Sequence, residues 1–184
     1  MSVVIALLRG VNVGGHNKIS METLREICVS LKLRAPRTYI QSGNVVFGAP
    51  GADLDQLAQR IESAIEKRAG FRPSVILRTA ADLHAVVAAN PFARRTSLDP
   101  AKLAVFFLAS PPPPETVAKV VAISVGSEEI LPNGRELYVY FPDGQGRSKL
   151  PPVLDRTLKM PATARNWNTV AKLLAMADDQ ASVL

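Results

Sequence analysis

The feature that most limits what this chain can fold into is the uncharged run Val3 to Leu8, followed without a spacer by Arg9-Gly10-Val11-Asn12-Val13-Gly14-Gly15-His16-Asn17-Lys18. A short apolar run bounded by a glycine- and amide-rich loop predicts a buried strand. Met21, Leu24, Ile27, Cys28 and Leu31 then recur at helical spacing behind a Ser20 cap. Strand, polar loop and helix in that order are how chains build backbone cradles for anions. Glycine lets the main chain reach unusual dihedrals and approach a ligand, and a helix start presents N–H groups that have no intrahelical partner.

The succession continues in the same style. Pro36 closes the helical segment, and Arg37–Gln41 and Val45–Phe47 read as strands about a Ser-Gly-Asn turn. Asp53 caps an amphipathic helix with Leu54, Leu57, Ala58, Ile61, Ala64 and Ile65 on one face; Gly70 stops it and Ser74–Leu77 is a fourth strand. That order is βαββαβ, the split arrangement of ferredoxin-like domains. Thr79 and Asp82 then start a helix that Asn90-Pro91 closes, and Lys102–Ala109 is a strand. Pro111 to Pro114 form a stiff connector, a helix covers Glu115–Ile123, and Glu128–Leu131 and Glu136–Phe141 pair about Asn133-Gly134. Helices over 148–159 and 164–177 and a frayed tail over 178–184 complete the chain. The expectation is an α+β protein. A ferredoxin-like domain, residues 1–79, packs on a second α+β domain, residues 80–184, of βαββα order with a C-terminal helix where a last strand is due.

Charge narrows the partners. Residues 1–80 hold 11 of the 22 Lys and Arg but only 6 of the 16 Asp and Glu, so the first half is distinctly basic. Such a balance favours phosphates, nucleotides or nucleic acid, and is also compatible with an inert basic surface. Cys28 is the only cysteine and there are two histidines, so neither a disulfide nor a metal-ligand spacing is expected. The hydrophobic start is too short for a signal peptide and no apolar run reaches membrane-span length, which points to a cytoplasmic protein with no membrane partner.

Topology gathers the polar segments. In a βαββαβ unit the loop after the first strand, the turn at 41–44 and the turn at 69–71 fall on one sheet edge. The residues offered to a ligand there are Arg9, Asn12, Gly14, Gly15, Asn17, Lys18, Gln41, Ser42 and Asn44. Gly-Asn-rich turns also serve geometry alone, and Ser-Gly-Asn is ordinary hairpin chemistry. In Thr163-Ala164-Arg165-Asn166-Trp167-Asn168-Thr169, Thr163 reads as a helix cap. Arg165 and Asn166 then occupy the first helical turn, and Trp167 joins a buried stripe with Val170, Leu173 and Leu174. Arg165, Asn166 and Asn168 complete the ligand set. No Walker loop and no dinucleotide fingerprint is present, so no cofactor is indicated. Ser42 lacks an oriented histidine, which argues against a nucleophilic triad.

These segments, together with Asn90-Pro91-Phe92 and Lys149, resemble a widespread bacterial family catalogued as domain of unknown function 1697. The signature positions match at Arg9, Asn12, Gly14, Gly15, Gln41, Ser42, Asn44, Arg165, Asn166 and Trp167. The resemblance implies an α+β protein with a ferredoxin-like N-terminal part, and it brings no activity with it. The function expected from the residues is binding of a small anionic, phosphate- or nucleotide-like ligand. The hollow for it lies between the 9–18 loop, the 41–44 turn and the start of the last helix. If a reaction follows, the analogy is with acylphosphatases: Arg9 holds a phosphoryl group and Asn44 or Gln41 positions water. The alternative partner is nucleic acid held by its phosphate backbone, since the central strands lack the aromatic pair that stacks bases. A protein-interaction module is a third reading. Neither whether a reaction occurs nor an oligomeric state can be read from the sequence.

Overall fold

Apolar runs without a helical period become the central strands. A computed structural model of the chain describes residues 2–123 and 125–183. In it β1 (Ser2–Leu8) is buried at every position from Val3 to Leu8. A strand covered on both faces has no polar side to show, which is why its sequence does not alternate. β1 lies between β3 (Asn44–Ala49) and β4 (Val75–Thr79), with β2 (Arg34–Tyr39) at the edge, in the antiparallel order β2-β3-β1-β4. Val4, Ala6 and Leu8 share a core with Leu24, Ile27 and Cys28 of α1 (Met21–Ser30) and Leu57, Ile61 and Ile65 of α2 (Leu54–Ala69). Each large aliphatic side chain so buried stabilises by about 1.5–3 kcal/mol relative to exposure.

The helix ends carry the expected chemistry. The Ser20 Oγ accepts from Thr23 N–H at 3.0 Å, and Asp53 Oδ1 accepts from Asp55 and Gln56 N–H. Gly70, at φ 78, closes α2 with its N–H on Glu66 O. Before α3 (Ala80–Ala88), Thr79 N–H and Oγ1 donate to Asp82 Oδ2 while Asp82 N–H donates to Thr79 Oγ1, a reciprocal capping box. β2 begins earlier than its sequence suggests. Its register slips between Arg34 and Arg37, with Ala35 at φ 45, and the bulge accommodates Pro36 on an edge strand where a missing N–H costs little.

The second half repeats the order: β5 (Leu103–Leu108), α4 (Pro114–Val121), β6 (Glu129–Asn133), β7 (Glu136–Tyr140), α5 (Leu150–Leu158), β8 (Ala162–Asn166) and α6 (Trp167–Val183). Its sheet runs β6-β7-β5-β8, also antiparallel, with Phe106, Leu108, Leu137 and Val139 packed on Val120 of α4 and Leu150 and Leu154 of α5. The protein is thus α+β, with two four-stranded sheets and six α-helices among the described residues.

Two expectations need correcting. Residues 162–166 are a strand on β5 rather than a helix start, so the second half has the last strand that it was expected to lack. In addition, α6 continues to Val183 instead of fraying at 178; Leu184 lies outside the described residues. The chain divides into two compact units, one of residues up to His84 together with those from Lys172 on, the other Ala85–Ala171.

Candidate functional site

In the first unit, one sheet edge collects the loop after β1, the β2–β3 turn and the approach to β4. Leu8 N–H donates to Gly43 O and Arg9 N–H to Ser74 O, both at 2.9 Å. The 9–18 loop doubles back as a small hairpin, with Asn12 N–H donating to Asn17 O at 3.1 Å, and side chains add to its backbone bonds. Asn12, at φ 54, donates from Nδ2 to Ile19 O at 2.9 Å and Gln41 O at 2.8 Å, and its Oδ1 accepts Ile19 N–H at 2.9 Å. Asn17, at φ 50, donates from Nδ2 to Gly10 O at 3.0 Å. Gly14 and Gly15, at φ 58 and 80, make a two-residue turn of mirror-image type that brings His16 N–H to Val13 O at 3.0 Å.

The expected ligand residues therefore divide. Asn12 spends its amide bracing the loop against the turn. Asn44 is fully buried, and its Nδ2 donates to Tyr39 O at 2.9 Å and Ser42 Oγ at 3.0 Å, so both residues are tied into their own hairpin. Lys18, Gln41 and Gly15 are exposed and, with Asn12, Ile19 and Ser20, border one open hollow of about 500 Å³. Arg9 is half-buried beside it in sequence. Two further cations of this unit are already paired. Arg72 is engaged by Glu66 and Glu62 at 3.2 Å each, which raises its pKa chiefly through the Glu66 hydrogen bond, and Arg68 pairs with Glu26.

Arg165, Asn166 and Asn168 belong to the second unit. Arg165 stands on β8, is 6% exposed, and donates to Thr163 Oγ1 at 2.7 Å and Ala164 O at 2.9 Å. Burial lowers its guanidinium from 12.5 to about 10, so it stays charged at neutral pH. Asn166, not Thr163, caps α6. Its Oδ1 accepts Asn168 N–H at 2.9 Å and its Nδ2 donates to Ala101 O at 2.7 Å. Arg165 thus bonds within its own strand, and Asn166 caps the helix that follows.

Sequence reasoning missed a second hollow. Asn90, Phe92, Tyr140 and Trp167 line about 280 Å³ in the second unit. Trp167, expected in the buried stripe, is only partly buried there, whereas Val170 and Leu173 are in the core. The clustering of Asn90-Pro91-Phe92 and Trp167 among the resembling segments was the available signal. Among the described residues no group of His, Cys, Asp or Glu is arranged to hold a metal ion, and no helix is long and apolar enough to cross a membrane.

Fold and edge geometry define a tandem α+β protein in which two successive segments share one strand order. The chain belongs to the family described as Protein of unknown function (DUF1697), whose model matches residues 1–138. Among solved structures it is similar to that of the conserved bacterial protein SP0830 from Streptococcus pneumoniae. That likeness has a TM-score of 0.77 and 24% identity, covering 97% of this chain and 99% of the other, and it establishes shared fold. No curated protein is significantly similar to the chain.

Proposed function

We propose that the protein binds a small phosphate- or nucleotide-like anion at the loop edge of its first unit, which we read as ferredoxin-like. One observation carries this reading: Lys18, Gln41, Gly15 and the cap of α1 border a single hollow whose floor is locked by Asn12. A braced loop presents its remaining donors without further ordering cost, and that preorganisation favours affinity. Lys18 supplies the charge, the N-terminal amides of α1 supply the aligned dipoles, and Gln41 reads the remainder. Glu22 in the first turn of α1 lines a different hollow, with Arg25 and Pro36, and is not among the residues that border this one. If hydrolysis of an acyl phosphate accompanies binding, Arg9 holds the phosphoryl group. Gln41 orients water, because the Asn44 amide is taken up by Tyr39 and Ser42.

The alternative, nucleic acid held by its backbone, finds less support. Both faces of β1 and β3 are buried, which leaves the central strands no surface on which to stack a base. Amide NMR titration with inorganic phosphate and with adenosine monophosphate tests the proposal. Shifts are expected at Gly15 and at residues 18–22, with affinity falling about tenfold in Lys18→Gln, on the order of 1.4 kcal/mol. Shifts elsewhere, or affinity indifferent to Lys18, overturn the reading. A steep loss of oligonucleotide binding with salt, without a response to phosphate, favours the alternative. Acyl-phosphate turnover that is unchanged in Arg9→Ala removes the hydrolytic step.

A further inference from the structure

The hollow of the second unit has a different chemistry. Three aromatic rings from three segments line it: Phe92 after α3, Tyr140 at the end of β7 and Trp167 at the start of α6. Phe92 and Tyr140 meet at 6.1 Å between centroids, tilted by 39°. Arg95 sits 5.3 Å above the Phe92 ring, and its guanidinium is fixed by three hydrogen bonds of 2.9 Å to the Glu129 carboxylate. Its charge is therefore already balanced, and an anion gains little here.

Polar groups of the lining point to a particular ligand. Tyr140 is 8% exposed and lines the hollow, yet its hydroxyl has no hydrogen-bond partner among the described residues. Asn90 accepts Phe92 N–H on Oδ1 at 2.9 Å, which leaves its NH₂ without a partner among the described residues; the Trp167 indole N–H is in the same condition. The hydroxyl is not sealed from solvent, since among the described residues only Glu128 Oε2 is buried without a partner, so a ligand acceptor takes the place of water on it. Aromatic walls call for a flat apolar face, and a donor-rich lining calls for acceptors on the rim.

We propose that this hollow binds a free heteroaromatic ring of nucleobase type, flat against the aromatic residues and accepting hydrogen bonds from Tyr140, Asn90 and Trp167. A hydrocarbon ring fills the space but leaves the donors unmet. Inorganic phosphate has no face to offer. The inference stands on second-unit residues and does not depend on the anion reading, so nucleosides without phosphate are the appropriate probes.

Trp167 is the only tryptophan of the chain, and stacking beside it is directly visible in fluorescence. Titration of the full chain with adenosine, guanosine, cytidine and uridine is expected to give saturable quenching with at least one of them. Tyr140→Phe, which keeps the ring and removes only the hydroxyl, is expected to weaken that affinity about 3- to 10-fold. Amide NMR of the unaltered protein gives a second readout, with shifts expected at residues 90–96 and at the Trp167 indole. The proposal fails if no nucleoside quenches up to about 5 mM. It fails equally if benzyl alcohol binds as well as the nucleosides, or if a folded Tyr140→Phe binds like the original.

Discussion

At Gly43 the backbone sits at φ +77, and a Cβ there would lie 2.5 Å from Val11 Cγ2 and 2.8 Å from Leu8 Cβ. Both contacts are with packed side chains close to their own backbones, so neither neighbour moves cheaply. Gly43→Ala is expected to lower stability by about 2–4 kcal/mol, combining left-handed strain with overpacking. Gly15, at φ +80 with open space around it, carries the dihedral cost alone, about 1–2 kcal/mol. Urea midpoints for the two variants separate steric from torsional cost; equal losses would contradict the close approach of the 40–43 turn to β1. The same scale explains which residues drew notice in the sequence. Lys18 and Gln41, which border the hollow, stood out because nothing in a turn requires them. Asn12 and Asn44 look like ligand amides in sequence. In a loop with Gly10, Asn12, Gly14, Gly15 and Asn17 at positive φ, the few backbone bonds leave Ile19 N–H and the Gly10, Ile19 and Gln41 carbonyls to the Asn12 and Asn17 side chains.

Among the elements, those with a strong period were readable in sequence. Helices α1 and α2 show an apolar stripe and a capping residue, and β1 and β5 are uninterrupted apolar runs. β8 was not readable. Ala-Thr-Ala-Arg-Asn has no large apolar residue, and its burial is supported by hydrogen bonds such as Arg165 to Thr163, which leave no trace in a hydropathy pattern. The far end of α6 was misjudged for a related reason. Gln180 is 3% exposed and donates from Nε2 to Ala35 O at 2.8 Å and Arg34 O at 3.3 Å, the carbonyls that the β2 bulge turns away from the ladder. A polar side chain that satisfies an irregular strand reads as a solvent-facing tail. Gln180→Ala is expected to cost about 1–3 kcal/mol and to speed amide exchange in β2. Exchange in β2 that matches the original protein would show that the bulge has no need of this partner.

For the molecule as a whole, each unit buries a weak acid whose pKa is raised well above its ordinary value. Burial raises Cys28 in the first core from 9.0 to about 12. Tyr138, whose hydroxyl donates to Val86 O at 2.7 Å, is raised from 10.0 to about 12 by burial and then by the charge of Glu136. Both are held neutral when folded, so their contribution is intact below the unfolded values and is lost as pH climbs toward about 12. Urea midpoints are expected to fall above pH 9, each group contributing up to about 1.4 kcal/mol per pH unit. Cys28→Ala should flatten the decline that begins near 9 and Tyr138→Phe the one that begins near 10; a decline identical in both variants would assign the effect to other groups.

The matching strand orders have a last consequence, visible where the two halves differ. Between β1 and α1 the chain spends residues 9–20 on a glycine-bearing excursion, whereas at the same station between β5 and α4 it has a short link ending in consecutive prolines. The same strand order thus tolerates unlike connections at this position: residues 9–20 carry five positive-φ residues, whereas prolines 111–113 fix φ and limit the paths open to the second link.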